Sequence, residues 1–395
     1  MIKQNFMEKL LEGVEAEWKK LGDEEFINIS NRGRKPVKAS LRIPGKVPYY
    51  GANNIQDYVE GYTHEGEYVL IAEDGSASLE NYSIQYVEGQ FWANNHVHVI
   101  CGTEKLKTRF LFHFLNIINF IPYLSGGGRA KLTKGKMLEI KIPAPSLEIQ
   151  EEIVRILDTF TELTAELTAE LTARKKQYIH YCDQLLSFEE GEVEWKKLGE
   201  VGELIRGNGL PKADFTETGI PAIHYGQIYT YYGLSTTSTI SFVSPETAEK
   251  LKKVDTGDVI ITNTSENLED VGKSVVYLGD QQAVTGGHAT IFKPGKSITG
   301  KFFAYYTQTA MFSKKKRKYA KGAKVIDVSA KDMAKISLPI PSIEEQSRIV
   351  SILDKFDALT NSITEGLPRE IELRQKQYEY YRKMLLNFPK EEVEK

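Results

Sequence analysis

Cysteine is nearly absent from this chain. Two residues, Cys101 and Cys182, cannot build a disulfide framework or a four-cysteine zinc site. They read as reduced thiols, which makes a cytoplasmic location the default expectation. Long apolar runs are also missing, and no stretch approaches the ~18–20 residues of a membrane span. The N-terminal stretch has no signal-peptide pattern, because its apolar run is short and no small-residue cleavage site follows. Catalytic signatures fail one by one. Residues 295–301 begin like a phosphate-binding loop, but Phe302 stands where a Mg²⁺-binding Ser or Thr is needed, so the stretch reads as a turn entering a helix. The EWK triplets at 17–19 and 194–196 lack the acidic context of a nuclease and read as strands anchored by Trp18 and Trp195. No glycine fingerprint for a nucleotide cofactor and no Asn/Asp-Pro-Pro-aromatic motif for base methylation occurs. His96 and His98 alone do not make a metal site, and the histidines read as packing or local hydrogen-bonding groups.

What is present is ordinary in bulk and unusual in arrangement. A chain of 395 residues with 41% hydrophobic and 27% charged content is long enough for more than one globular domain. Its net charge of −3 hides a division. Residues 18–142 carry 16 Lys/Arg against 13 Asp/Glu, and residues 195–338 carry 20 against 14. The intervening 143–194 carries 4 against 12, and 339–395 is also slightly acidic. Basic surfaces attract phosphate backbones, whereas acidic segments are repelled by them.

The acidic parts are copies of each other. Residues 143–160 read PAPSLEIQEEIVRILDTF and residues 339–356 read PIPSIEEQSRIVSILDKF. RKKQY at 174–178 returns as RQKQY at 374–378, and EWKKLG at 17–22 returns at 194–199. Internal repeats of this size fix an architecture of variable block, helix, variable block, helix. In the first copy Ile153, Ile156, Phe160, Leu163, Leu167, Leu171 and Tyr178 follow steps of three and four, a coiled-coil seam. Ser146 offers an N-cap, and a helix over about 146–187 would span roughly 60 Å. In the second copy Ile349, Ile352, Phe356, Leu359 and Tyr378 form the matching stripe, and Gly366 with Pro368 predicts a kink or break. The two stripes have each other as the obvious antiparallel partner. Residues 164–167 and 168–171 both read TAEL. Each tetrad would lengthen the rod by about 6 Å, the length of one to two base pairs.

The variable blocks share order but not sequence. Faint matches between residues 66–71 and 257–261, and between 95–99 and 287–291, keep offsets near 191–192 and predict a common topology with small insertions. Alternating stretches at 68–71, 97–100, 259–261, 274–277 and 289–292 read as strands. Helical patterns lie at 105–119, 245–253 and 301–312. Loops between them carry groups suited to DNA, since Arg and Lys engage guanine or phosphate and Asn and Gln engage adenine. The candidates in the first block are Arg32, Arg34, Lys35, Lys38, Tyr50, Asn53, Asn54, Asn94, Asn95, Arg129 and Lys131. Those in the second are Arg206, Asn208, Lys212, His224, Tyr225, Gln227, Thr262 and Asn263. The densest basic run adds Lys314, Lys315, Lys316, Arg317, Lys318, Lys321 and Lys324, read as phosphate contacts.

On SLEIQEEIVRILD at 146–158, the two TAEL tetrads, RKKQY at 174–178 and the whole of 354–382, the chain resembles the specificity subunits of type I restriction-modification systems. That resemblance implies an α+β fold with pseudo-two-fold internal duplication: two mixed α/β target recognition domains separated by two long antiparallel coiled-coil helices. The expected divisions are a short helical segment at 1–17, recognition domains at 18–142 and 195–338, and spacer helix regions at 143–194 and 339–395. It further implies a non-catalytic, cytoplasmic host-defence protein that reads a split double-stranded DNA site. Its implied partners are two methyltransferase subunits and restriction/translocase subunits, which would carry S-adenosylmethionine, ATP and Mg²⁺; none of these is expected on this chain. A coiled-coil adaptor whose basic domains bind a protein or an RNA is the alternative from the residues alone.

Overall fold

The computed structural model describes residues 10–126, 130–189, 191–362 and 364–389. Two compact units emerge, Met1–Ala165 with Leu373–Lys395, and Glu166–Glu372. Each therefore combines one variable block with parts of both repeated segments.

In the first unit the EWKK strand β1 (Glu17–Lys20) pairs antiparallel with β8 (Lys141–Ala144) at the root of the block. Inside it lie β2 (Ile27–Ile29), β3 (Pro44–Tyr50), β4 (Ile55–Val59), β5 (His64–Ala72), β6 (Ile84–Ala93) and β7 (Val97–Gly102). They form one sheet in the order β2-β7-β5-β6-β3-β4, antiparallel except where β3 runs parallel to β6. Val69, Leu70, Ile71 and Ala72 of β5 are all fully buried, as befits a central strand covered on both faces. The helix Thr108–Leu115 covers one face through Phe110, Leu111, Phe114 and Leu115. A smaller cluster of Leu70, Val87, Phe91, Ala93, Val97 and Val99 fills the other.

The second unit repeats this plan. Strands β9 (Glu194–Lys197) and β15 (Ser337–Ile340) make its root. Strands β10 (Gly202–Arg206), β14 (Ala289–Pro294), β12 (Val259–Thr262), β13 (Ser274–Tyr277) and β11 (Ser235–Thr236) stand in that order, again antiparallel except for the last parallel step. The correspondence extends to register, since Val69 opposes Ile100 and Ile260 opposes Ile291. The block then departs from its twin. Strands at 215–216, 220–223, 241–243, 252–254 and 283–285 build a second five-stranded sheet that the first block lacks among its described residues. The shared topology with insertions expected from drifting offsets is what the chain adopts.

The first repeated segment is a single helix, Leu147–Leu185. The second is two helices, Ile343–Asn361 and Gly366–Leu385. Gly366 sits at φ +74°, and a Cβ there would meet the Ala358 carbonyl at 2.3 Å, so the expected break needs glycine. Of the predicted seam, Ile153, Ile156, Tyr178 and Ile349 are buried, while Phe160, Leu163, Leu167, Leu171, Ile352, Phe356, Leu359 and Tyr378 are half-buried. The repeat shows in equivalent ring pairs: Phe160 stacks on Tyr381 at 5.4 Å in the first unit, and Phe356 on Tyr181 at 5.2 Å in the second. No helix among the described residues is long and apolar enough to cross a membrane.

Three predicted helices are corrected. The 105–119 pattern yields only Thr108–Leu115, because the Lys105 carbonyl and Lys107 amide are bonded to Gln150 rather than within a helical turn. The 245–253 pattern ends at Lys250, after which Lys252–Val254 enters a strand. The 301–312 pattern divides into Gly300–Thr307 and Ala310–Arg317, with the Thr309 hydroxyl capping the second by accepting from the Phe312 amide.

Candidate nucleic-acid interface

The repeated helices hold each block by equivalent polar clamps. Gln150 is fully buried; its Oε1 accepts from the Lys107 amide at 2.8 Å and its Nε2 donates to the carbonyls of Lys105 and Pro145. Gln346, also fully buried, accepts from the Thr299 amide at 2.9 Å and donates to Ser297 and Pro341. About two helical turns on, Asp158 accepts from Arg109 and His113, while Asp354 accepts from Lys301 and from the Tyr305 hydroxyl. Burial disfavours the Asp158 anion, yet hydrogen bonds from His113 and Arg109 outweigh it and keep the carboxyl below its usual range. Lys301, once part of a phosphate-loop-like string, is committed to this clamp.

With the block rooted, its loops meet at one node. In the first block the Glu73 amide donates to the His96 carbonyl and its carbonyl accepts from the Leu132 amide. The Glu73 carboxylate takes Arg34 at 2.6 Å and Lys131 at 3.0 Å, and Arg34 also donates to the carbonyls of Asn31 and Val97. Burial raises this carboxyl's pKa, but Arg34, Lys131 and the nearby His98 lower it further, leaving it net depressed. His98 is fully buried and bridges Asn31 to the Leu132 carbonyl. Four loops, near 31–35, 73–78, 94–98 and 130–132, are thereby fastened together.

The second block has the same node in neutral form. Asn263 donates its amide to the His288 carbonyl and accepts at its own carbonyl from the Val328 amide. Its side chain donates to the Val328 carbonyl and accepts from the Thr290 hydroxyl, all fully buried. Asn208 pairs with Gly286 and Arg206 donates to the Gly287 carbonyl, so the loops near 206–210, 262–266, 286–290 and 326–328 converge. Neither node was visible in the sequence as a motif. The signal was the pairing of His96 with His288 at an offset of 192, which the strand matches already contained.

The sequence candidates separate into three groups. Arg32, Lys35, Lys38, Asn53, Asn54, Asn95, Arg206, Asn208, Lys212, Lys314, Arg317, Lys318 and Lys324 are exposed. Several others are half-exposed and already engaged. Arg34 and Lys131 serve Glu73, Tyr50 packs on Phe91, Tyr225 lies against His224 and His288, and Gln227 bonds Ser241. Lys315 lies 4.0 Å over the Trp195 ring and donates to the Ser337 carbonyl, and the exposed Lys321 pairs with Asp332. The third group is corrected as interior: Asn94, His224, Thr262, Asn263 and Lys316 are buried. Thr262 bonds the carbonyls of Asp270 and Lys273, and His224 caps the helix Tyr225–Thr230. The Lys316 ammonium donates to the carbonyls of Glu269 and Val271, and burial pulls its pKa down to about 8. Arg129 lies outside the described residues.

Comparison with known proteins agrees with this architecture. A model of the family described as type I restriction modification DNA specificity domain matches twice, over residues 15–174 and 190–373. The Haemophilus influenzae protein S.HindORF215P, whose name places it among type I restriction enzyme specificity subunits, is 47% identical over 98% of this chain and 99% of its own. The Escherichia coli type I restriction enzyme EcoR124I/EcoR124II specificity subunit is 36% identical over 100% of this chain and 99% of its own. In fold, the chain is similar to the crystal structure of a type I restriction-modification S subunit from M. genitalium, with a TM-score of 0.60 at 16% identity, covering 99% of both chains. A duplicated frame carrying two equivalent loop nodes, matched over nearly its whole length by these relatives, belongs to the type I restriction modification DNA specificity family.

Proposed function

We propose that this chain is the non-catalytic specificity subunit of a type I restriction-modification complex and reads a bipartite, asymmetric DNA site. Blocks 18–142 and 195–338 are the recognition domains, each reading one half-site. The repeated segments 143–194 and 339–395 act as spacer and as the surface that recruits two methyltransferase subunits and the restriction/translocase subunits. S-adenosylmethionine, ATP and Mg²⁺ belong to those partners, and the setting is cytoplasmic, where the DNA is.

One observation carries this reading. The two blocks have the same strand order and the same backbone node, yet surround the nodes with different polar side chains. A common scaffold presenting two different polar surfaces suits two different base sequences. Exposed cations around each block supply the phosphate attraction that any sequence needs.

The test is methylome sequencing of cells expressing this chain with its methyltransferase partner. A bipartite adenine-methylated motif is expected, and its absence overturns the reading. Deleting residues 168–171, one tetrad of the continuous helix, should leave both half-sites intact and shorten the gap between them. New half-site sequences in that variant would contradict the ruler.

A further inference from the structure

The nodes hold two histidines in the same place. His96 gives its carbonyl to Glu73, and His288 gives its carbonyl to Asn263. In both, the ring Nδ1 is tethered to the residue that follows the node: to Asp74 Oδ1 at 2.5 Å for His96, and to Thr264 Oγ1 at 3.2 Å for His288. Neither Nε2 has a hydrogen-bond partner among the described residues, and the side chain of His96 is 41% exposed while His288 is exposed. The sequence reading assigned both to packing or local hydrogen bonds, and the Nδ1 tethers are bonds of that kind. The structure adds that each ring is fixed at its inner nitrogen and open at its outer one, at the point where the loops of each block converge.

The two tethers have different chemistry. A carboxylate only accepts hydrogen bonds, so Asp74 requires the proton on Nδ1 of His96. The neutral ring then presents Nε2 as an acceptor. In the major groove the hydrogen-bond donors on base edges are the amino groups of adenine and cytosine. The Thr264 hydroxyl can donate or accept, so it leaves His288 free to present either a donor or an acceptor. The Tyr225 ring packs against the His288 ring, 4.8 Å between centroids and tilted by 44°.

We infer that His96 and His288 are equivalent base-reading side chains, one per half-site, and that His96, oriented by Asp74, accepts from the exocyclic amino group of adenine or cytosine. The inference rests on the DNA-reading function proposed above and names residues outside the candidates drawn from sequence. Asp74 is a positioning residue that acts through His96.

The experiment uses the complete complex with its methyltransferase partner and reads base preference position by position over a randomised site library. The unmutated complex comes first: if it selects no bipartite motif, the parent reading fails, and this inference with it. Given a motif, His96→Ala should relax one base pair of one half-site, lowering discrimination there about 10-fold, and leave the other half-site unchanged. His288→Ala should relax the opposite half-site. Asp74→Asn should relax the same base pair as His96→Ala, which a purely structural role would not do. If an alanine variant fails to assemble, His96→Gln and His288→Gln, which keep a polar side chain, are read by the same criterion. An unchanged motif, or a loss of affinity equal for all sequences, overturns the assignment.

Discussion

Replacing Gln150 or Gln346 by alanine should loosen a whole unit from one side chain. Each amide makes three hydrogen bonds to backbone groups inside the protein and is fully buried. A net value of about 1 kcal/mol per bond gives a loss of about 3 kcal/mol, before counting the amide of Lys107 or Thr299 left dry. The unit Glu166–Glu372 falls in the size class where 1 kcal/mol moves Tm by roughly 2–4 °C, so Gln346→Ala should lower the corresponding transition by roughly 6–12 °C. Differential scanning calorimetry reads this directly, and Gln150→Ala should act alike on the other unit. Glutamate sharpens the test. Gln346→Glu keeps the acceptor for Thr299 but turns an anion toward two carbonyls, so it should be worse than alanine at pH 7. Burial would raise that carboxyl's pKa in the folded state, so the variant should recover as pH falls and worsen as pH rises. Transitions within 2 °C of wild type for both alanine variants would refute the clamp, showing that water replaces the amide at no loss.

Two further outcomes follow from the basic run. Because burial lowers the Lys316 pKa to about 8 in the folded state against about 10.4 unfolded, the unfolded chain binds more protons between those values, and stability should rise with pH through that window. Urea titrations at pH 7.5 and 10 should show a gain of up to about 3 kcal/mol in wild type that Lys316→Met lacks; an equal gain in both removes the lysine as its source. Reversing Lys314, Arg317 and Lys318 to glutamate should weaken binding to all DNA sequences alike and flatten its salt dependence, measured by fluorescence anisotropy from 50 to 200 mM salt; an unchanged slope removes these residues from the interface.

The frame was legible in the sequence because it is periodic and repeated. Ile153 and Ile349 lie in cores, and Gly366 breaks the second segment as its side-chain-free backbone predicts. The loops were legible only as composition. A basic run looks uniform in sequence, but Lys315 and Lys316 stand three and four residues after the buried Phe312 on one helix, and so turn inward with it. That spacing was available and outweighed by the charge count. Thr262 and Asn263 look like loop polars, yet strand pairing places them inside with every side-chain group bonded. What could not be read was the side-chain chemistry of the node, since Glu73 and Asn263 share a backbone role and no side-chain likeness.

That unlikeness has a consequence for how such chains diversify. At each node the main-chain bonds set where the loops begin, and the side-chain bonds are a local solution chosen from several. Glu73 answers to Arg34 and Lys131, Asn263 to Thr290, and each set of partners lies within its own block. A lineage can therefore rewrite the chemistry of one block by compensated exchanges among a few neighbouring loops. The other block and the repeated helices need not change with it.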